Sequence, residues 1–322
     1  MNTAHRPGNW RPGASRNAVE SRARLLRDIR AFFIDRNVLE VETPVLSRAG
    51  NSDPNISSIS TDEIPRKYLR TSPEYAMKRM LAAGFGDIYE LGRAFRADEK
   101  GRVHNPEFTL LEWYRIGVNY LDLAAEVCEL VRHCGCGQFD DWPVQFVSYR
   151  ELFLRHTGLD PFLCDEEDLS TLAAERGVLA VSMGQKEWLD LFLGQIIEPA
   201  LPGETLTVVH DFLPEQAALS RIRPDDPPVA ERFEVYLGQM ELANGYQELT
   251  DADEQLARFE SEQKAAGARG EEMPPLDMSL IEAIRHGFAE CSGVALGVDR
   301  LLMSLLKLEQ IDAVLAFSAD RC

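Results

Sequence analysis

Two strand-like runs joined by a short loop constrain the fold of this chain more than any other feature. Residues 88–96 and 108–116 both alternate with the two-residue period of a β-strand. One face of the first run is small and ends in Arg96, and one face of the second carries Phe108, Glu112 and Tyr114. If the runs pair as a hairpin, the small face beside Phe108 forms a cavity, and we predict a nucleotide site there.

The loop between these runs supplies further charge. Arg102 and His104 are placed to reach the outer phosphates of a triphosphate. Taken singly, Arg96 is also compatible with a surface ion pair and His104 with an ordinary loop residue. The order of the surrounding residues has to decide between these interpretations.

The remaining pattern predicts a single mixed α+β domain, 17–322, built on a mainly antiparallel sheet flanked by helices. Residues 1–16 are expected to form a flexible basic tail, and a helical insertion is expected near 152–200. Helices are predicted at Asn17–Arg36, Pro73–Ala83, Leu121–His133, Asp165–Arg176, Lys186–Ala200, Asp251–Ala266, Leu276–Glu290 and Arg300–Leu308. Strands are predicted at Val38–Leu46, Asp87–Arg96, Phe108–Ile116, Thr205–Val209, Arg232–Leu242 and Ser292–Val298.

Composition narrows the functional classes. A net charge of −19 argues against a general nucleic-acid binder, so any RNA-like partner has to meet a local basic patch. Met1–Arg30 is a candidate for that patch, and it is equally compatible with a solvated helix face preceded by a tail. The longest apolar runs, such as Leu301–Leu306, fall far short of the ~20 residues that cross a bilayer. Cys128, Cys134 and Cys136 allow a metal site, although reduced thiols are favoured. We expect a cytoplasmic protein without a membrane span.

Three motifs, which occur in a fixed order along the chain, decide between the two interpretations of Arg96 and His104. They are Val38-Leu39-Glu40-Val41-Glu42-Thr43-Pro44, then Phe95-Arg96-x-Asp98 with Gly101-Arg102-Val103-His104-Asn105-Pro106-Glu107-Phe108-Thr109 and Glu112-Trp113-Tyr114, then Gly293-Val294-Ala295-Leu296-Gly297-Val298-Asp299-Arg300. They resemble motifs 1, 2 and 3 of class II aminoacyl-tRNA synthetases, specifically the lysyl type. The resemblance covers about 17–317. It implies an ATP-dependent ligase that forms an aminoacyl adenylate, and a homodimer paired through motif 1.

The resemblance assigns the nucleotide residues. Arg96 corresponds to the α-phosphate ligand, His104 and Asn105 to the ATP tail and adenine side, Phe108 to adenine stacking, and Arg300 to the opposite adenine face. Arg96 and Arg300 are the expected catalytic residues. Further ATP-binding positions are Ala97, Asp98, Glu241, Leu242 and Gly297.

The same resemblance implies Mg²⁺ held by Glu234 and Glu241, whose oxygens suit a hard cation. Seven residues separate the two glutamates, an odd step for one strand face. We therefore expect a β-bulge at Gly238 that returns both carboxylates to the same face.

The amino-acid site is expected at residues from several segments. Glu74 has two interpretations, because Thr71 and Glu74 match a capping box, while the family places this glutamate on the substrate amino group; the second is favoured. Glu248, with Tyr114 and Glu112, corresponds to positions that bind the lysine side-chain ammonium, and a buried cation needs such a partner. The complete predicted set is Ser72, Pro73, Glu74, Glu112, Tyr114, Asn244, Glu248 and Ala295.

Departures from the lysyl pattern point to a particular branch. No anticodon-binding domain is expected before residue 17, Ala295 replaces a glycine, and Asp98 replaces a glutamate whose role is thereby left open. The shortness of the chain, the Gly-Val-Ala-Leu-Gly sequence at 293–297 and the Glu-Leu-Ala-Asn-Gly segment at 241–245 together resemble paralogues that attach (R)-β-lysine to a lysine side chain of elongation factor P. Two rivals remain open: a truncated enzyme that charges a tRNA-like acceptor with α-lysine, and a non-catalytic regulatory subunit. The residues alone name neither the acceptor, nor the isomer, nor the general base of the transfer step.

Overall fold

The protein is described by a computed structural model that covers residues 10–53, 56–178, 183–270 and 273–322. The helices are α1 Arg16–Ile34, α2 Glu74–Ala82, α3 Tyr120–Gly135, α4 Tyr149–Thr157, α5 Glu166–Arg176, α6 Gln185–Phe192, α7 Ala252–Ala268, α8 Met278–His286 and α9 Val298–Leu306. The strands are β1 Leu39–Glu40, β2 Leu46–Ser47, β3 Tyr68–Leu69, β4 Ile88–Phe95, β5 Glu107–Ile116, β6 Val144–Ser148, β7 Leu206–Phe212, β8 Ile222–Arg223, β9 Val229–Leu237, β10 Met240–Gln247 and β11 Cys291–Gly297.

One large sheet organises these elements in the order β1-β4-β5-β11-β10-β9-β7-β6, with β8 added beside β9. The β1–β4 and β6–β7 pairs are parallel, and the other pairs in this sheet are antiparallel. The prediction of an α+β domain on a mainly antiparallel sheet is confirmed. The β4–β5 hairpin is also present, with Ala94 opposite Phe108 and Glu90 opposite Glu112.

One face of the β4–β5 hairpin packs against the core, and the other face carries polar side chains. On one face Tyr89 and Trp113 are fully buried against Phe33 of α1, whose ring lies 4.3 Å from that of Tyr89 and 5.4 Å from that of Trp113. Truncating one of these rings to alanine is expected to cost about 3–5 kcal/mol of stability. The other face carries Glu112 and Tyr114, so the core-facing residues hold the strands that present the polar ones.

The helices between β6 and β7 form a second apolar cluster. Tyr149 of α4 packs on Phe212 of β7 at 4.8 Å between ring centroids, and Phe153 and Phe192 extend the contact. This is where the helical insertion was predicted. Helix α6 continues through a π turn, Leu193–Ile197, into a 3₁₀ turn containing Pro199, so the predicted Lys186–Ala200 helix is not regular throughout.

Several predicted boundaries were wrong for identifiable reasons. The predicted strand Val38–Leu46 consists of the short β1 and β2 with an irregular segment between them, because the Thr43 N–H donates to Glu90 Oε2 (3.0 Å) and Pro44 has no N–H for a ladder. The predicted helix Leu276–Glu290 ends at His286, before Gly287 with φ 141°. Strand β6 and helix α4 were missed.

The predicted single strand Arg232–Leu242 is a hairpin of β9 and β10. Gly238 lies in its turn with φ 60°, where an added Cβ would approach the Gly203 carbonyl oxygen to 2.6 Å. A bulge does exist, but it falls between Glu241 and Ala243 of β10. Glu234 and Glu241 therefore come to one face from two antiparallel strands.

The last residues of the segment 1–16, which was predicted to be a flexible tail, are held by hydrogen bonds. The N–H groups of Gly13 and Ala14 donate to the carbonyls of Ala316 and Leu315, and Ser15 caps α1. Residues 1–9 of the predicted tail lie outside the described residues.

Candidate active site

Two adjoining cavities open on the polar face of the sheet. The acidic pocket, with a volume of about 540 Å³, is lined by Glu74, Glu112 and Glu248 among others. The arginine pocket, about 310 Å³, is lined by Arg96, His104 and Arg300 among others. Residues common to both linings are Ile56, Arg96, Asn244 and Ala295. The two pockets therefore form one cleft, joined at these shared residues.

A buried lysine organises the inner end of the acidic pocket. Glu74 and Lys78 lie one turn apart on α2, and Lys78 Nζ is 2.6 Å from both Glu74 Oε1 and Glu248 Oε2. The side chain of Lys78 is 2% exposed. Burial lowers the pKa of Lys78, but Glu248 and Glu74 outweigh this effect and hold the pKa above its usual range.

Glu248 is buried, and Gly293 of the neighbouring strand β11 makes room for it. A side chain at position 293 would collide with Glu248 Oε1 and with the Tyr114 ring. Burial raises the pKa of Glu248 to about 8, with Lys78 acting against that rise and Glu74 adding to it. Oε1 has no hydrogen-bond donor within the parts of the chain that the structure describes. It is an acceptor available to a ligand.

The carboxylate of Glu112 is held by two hydroxyl groups. Ser72 Oγ donates to Glu112 Oε2 at 2.6 Å, and the Tyr114 hydroxyl donates to Oε1 at 2.7 Å. Burial, followed by the charge of Glu74, raises the pKa of Glu112 to about 7. Because both oxygens already accept hydrogen bonds, Glu112 contributes mainly negative potential and a fixed position for Tyr114.

The capping-box interpretation of Glu74 was wrong. Helix α2 begins at Glu74 after Pro73, and the Glu74 N–H donates to Ser72 Oγ at 2.9 Å. The Glu74 carboxylate instead accepts from Lys78 and from the Tyr246 hydroxyl, both at Oε1 (2.6 and 2.5 Å). Its charge therefore belongs to the acidic pocket.

Arg300 is held from two sides in the arginine pocket. Its Nη1 donates to the backbone oxygen and to Oε2 of Glu241, at 3.0 and 2.9 Å, and its Nη2 lies 2.5 Å from His104 Nε2. A guanidinium only donates, so His104 Nε2 accepts and the ring proton lies on Nδ1. Burial and the charge of Arg300 lower the pKa of His104, which keeps the imidazole neutral.

Arg96 stands where the pockets meet. Its guanidinium carbon is 5.1 Å from the centroid of the Phe108 ring, and Nη1 donates to Glu99 Oε1 at 2.8 Å. Its buried Nε has no acceptor among the described residues. An anion at the junction would satisfy this donor.

Glu234 and Glu241 are arranged less simply than two free metal ligands. Glu234 Oε1 accepts from Arg232 at 2.5 Å and Oε2 from the Tyr236 hydroxyl at 2.7 Å, while Glu241 pairs with Arg300. Burial raises the pKa of Glu234. Within the described ranges, no group of three or more Asp, Glu, His or Cys side chains is arranged to hold a metal. Two carboxylates fit Mg²⁺ if phosphates and water complete its shell.

The remaining predicted site residues divide into two groups. Ser72, Asn244, Ala295, Leu242 and Gly297 line the cleft, and Asn105 also lines it while bonding to the Glu107 carbonyl and the Ala319 N–H. Positions that line neither cavity are Pro73, Ala97, Asp98 and Glu234. Arg102 donates to the Glu309 carbonyl instead of facing the arginine pocket.

Among the residues that were missed from the sequence, Lys78 lies behind the acidic pocket and Arg232 lies in its wall. Lys78 belongs to an amphipathic helix and was not recognised, although its four-residue separation from Glu74 predicts an ion pair between the two side chains. Arg232 lines the acidic pocket and donates to Asn244. Nothing local in the sequence indicates that contact.

A cleft with an acidic pocket, an arginine-containing pocket and motif 2 and 3 residues at their junction defines a class II synthetase catalytic domain. A family model described as tRNA synthetases class II (D, K and N) matches residues 3–321, and the chain belongs to this family. It is an enzyme of the ligase class. The expected resemblance is confirmed.

Known relatives of this chain belong to one branch of the family. Proteins named elongation factor P–(R)-β-lysine ligase are similar along nearly their whole length: 43% identity in Erwinia tasmaniensis, over 98% of both chains, and 43% in Vibrio cholerae, over 97% of this chain and 98% of the relative. The Yersinia enterocolitica protein of that name is 42% identical over 97% of this chain and 98% of its own length. In the ranges that the structure describes, no helix has the length and apolar character required to cross a membrane.

Proposed function

We propose that this enzyme uses ATP to activate (R)-β-lysine as its adenylate and then transfers it to a lysine side chain of elongation factor P. The observation that carries the proposal is the joined cleft, in which an acidic pocket for amino groups meets Arg96 at the entrance to the arginine pocket. The names and full-length similarity of the relatives support the substrate and acceptor.

The first step needs orientation and charge more than proton transfer. The amino-acid carboxylate is already ionised at neutral pH, attacks the α-phosphorus and displaces pyrophosphate. Arg96 would meet the α-phosphate through its unpaired Nε, and Arg300, fixed by Glu241 and His104, would cover the adenine. Both guanidinium groups stabilise negative charge without reorganising at the moment of reaction.

Mg²⁺ is part of the proposal, with Glu234 and Glu241 as its protein ligands. When bound, the ion neutralises phosphate charge. Ion pairs with Arg232 and Arg300 restrain Glu234 and Glu241, which lie on one face of the β9–β10 hairpin.

In the second step the neutral ε-amine of the acceptor lysine attacks the carbonyl carbon of the mixed anhydride. A C–N bond forms, the C–O bond to AMP breaks, and the amine proton leaves to solvent or a base. Ser72, Glu74 and Glu248 hold the amino groups of the activated residue during this exchange.

We also propose a cytoplasmic homodimer joined through the motif 1 segment. Three apolar residues of one short segment, Leu39, Val45 and Leu46, are each 39–50% exposed in the single chain, which is typical of an interface.

The test is AMP release measured with (R)-β-lysine or α-lysine, with and without elongation factor P or bulk tRNA. We expect release that depends on (R)-β-lysine and is stimulated by elongation factor P. Stimulation by tRNA together with α-lysine would instead identify a truncated lysyl-tRNA synthetase. No turnover with any combination would contradict both enzymatic functions.

A further inference from the structure

Arg232 is the most heavily bonded cation in the wall of the acidic pocket. Its Nε donates to Asn244 Oδ1 at 3.1 Å, Nη1 to the Gln216 carbonyl at 3.1 Å, and Nη2 to Glu234 Oε1 at 2.5 Å. The guanidinium carbon also lies 4.5 Å from the centroid of the Phe212 ring. With all three nitrogens engaged and one face on an aromatic ring, the side chain has a single orientation.

This arrangement fixes the polarity of the Asn244 amide. A guanidinium has donors and no acceptor, so the group that faces Arg232 Nε must be the amide oxygen. The amide NH₂ therefore points away from Arg232. Asn244 lines both pockets, and no hydrogen-bond acceptor for its Nδ2 is found among the described residues. Two N–H donors are thus free at the junction.

The junction is where the proposed first step brings an amino-acid carboxylate to the α-phosphate beside Arg96. A free NH₂ group suits a carboxylate oxygen there, whereas an amide turned by 180° would present its own oxygen and repel it. The charge of Arg232 itself is largely committed to Glu234. Its effect on the ligand therefore passes through Asn244.

We infer that Arg232 is a positioning residue for amino-acid activation, which sets the Asn244 amide so that its NH₂ group donates to the carboxylate of the amino acid. This inference rests on the proposed function. It assigns Arg232 no contact with the reacting atoms.

A double-mutant cycle tests the inference. Arg232→Met, Asn244→Ala and the double variant are compared by amino-acid-dependent ATP–pyrophosphate exchange. Both ATP and Mg²⁺ are saturating, so that the KM for (R)-β-lysine is measured with the nucleotide and metal sites filled. Each single variant should raise this KM by about tenfold to a hundredfold, the loss of one hydrogen bond to a charged group. The double variant should be no worse than Asn244→Ala alone.

A control and a conservative variant sharpen the comparison. Arg223 of β8 is also ion-paired, to Asp211 and Asp225, but does not line the cleft, so Arg223→Met should leave the KM unchanged. Arg232→Lys keeps a positively charged donor but cannot make the several hydrogen bonds of the planar guanidinium. Its KM for (R)-β-lysine should therefore lie between those of the wild type and Arg232→Met. If Arg232→Met does not fold, Arg232→Lys with and without Asn244→Ala provides the same cycle.

Multiplicative losses in the double variant would overturn the inference, because they would mean that Arg232 acts independently of Asn244. An unchanged KM in a folded Arg232→Met variant would overturn it as well. Failure of the proposed function is a different result: the unmodified enzyme would then show no exchange with either lysine isomer.

Discussion

Replacing Lys78 with methionine removes the ammonium that Glu74 and Glu248 share while keeping a side chain of similar length. Both carboxylates remain in the pocket, with Glu248 buried. Removing one partner of a buried ion pair typically costs about 3–5 kcal/mol, because the remaining group has to stay buried either as an uncompensated charge or in its protonated form. We expect a loss of this size in the free energy of unfolding at pH 9.

The loss should shrink as the pH falls. Lys78 has a raised pKa, so in the wild type its contribution is fully present below its ordinary value of 10.5 and is constant from pH 6 to 9. Glu248 has a pKa of about 8 with Lys78 present, and the pKa rises further in the variant because Lys78 lowers it. At pH 9 the variant therefore keeps a proton that the wild type has lost. At pH 6 Glu248 is protonated in both proteins, and only the pair with Glu74 is lost.

Urea unfolding at pH 6 and pH 9 measures the effect. Lys67→Met is the control, since Glu63 and Lys67 have the same four-residue separation in sequence but lie outside the helices and are exposed to solvent. It should cost less than about 1 kcal/mol. A Lys78→Met variant that is destabilised no more than this control, or more at pH 6 than at pH 9, would refute the reasoning.

Other predictions follow from the cleft. Arg96→Ala and Arg300→Ala should each abolish pyrophosphate exchange in a folded protein, and near-normal exchange would remove them from the site. Glu248→Gln should weaken binding of the amino acid by about 2–5 kcal/mol with little change for ATP; equal losses would indicate a metal or folding role. Ala295→Gly should change the ratio of the kcat/KM values for α-lysine and (R)-β-lysine in favour of α-lysine, by the equivalent of about 1–3 kcal/mol. An unchanged ratio would mean that other residues distinguish the isomers. Light scattering should give roughly twice 36.2 kDa; a fully active monomer would contradict the dimer.

The hairpin and its polar face could be predicted because they depend on local alternation. Period-two patterning placed Glu112 and Tyr114 on one side of β5, and the structure pairs Ala94 with Phe108 as expected. The common face of Glu234 and Glu241 was also predicted, but by the wrong route. A bulged strand and a hairpin with a displaced bulge both satisfy a seven-residue spacing, and only the partner strands distinguish them.

The roles of Lys78 and Arg232 could not be predicted, because each depends on contacts between distant segments. Lys78 meets Glu248 only after α2 is docked against the end of β10, and its sequence neighbours resemble any amphipathic helix. From the sequence alone, Arg232 looks like an ordinary outward-facing strand residue. Its contact with Asn244 arises only because β10 pairs with β9 and places Asn244 opposite Glu234.

The excess negative charge of the acidic pocket is unfavourable when the pocket is empty, and it also explains the proposed preference for lysine-like amino acids. At the inner end, Glu74, Glu112 and Glu248 face the single ammonium of Lys78, so full ionisation leaves two carboxylates in excess. The pKa values of about 7 for Glu112 and about 8 for Glu248 show that burial opposes this state in the empty pocket. A lysine-like amino acid brings two ammonium groups and favours the ionised form, releasing protons as it binds. An amino acid with a neutral side chain supplies only one, and a buried carboxylate would then have to stay protonated or unpaired, each at a cost. We therefore expect the pocket to prefer amino acids that carry two ammonium groups.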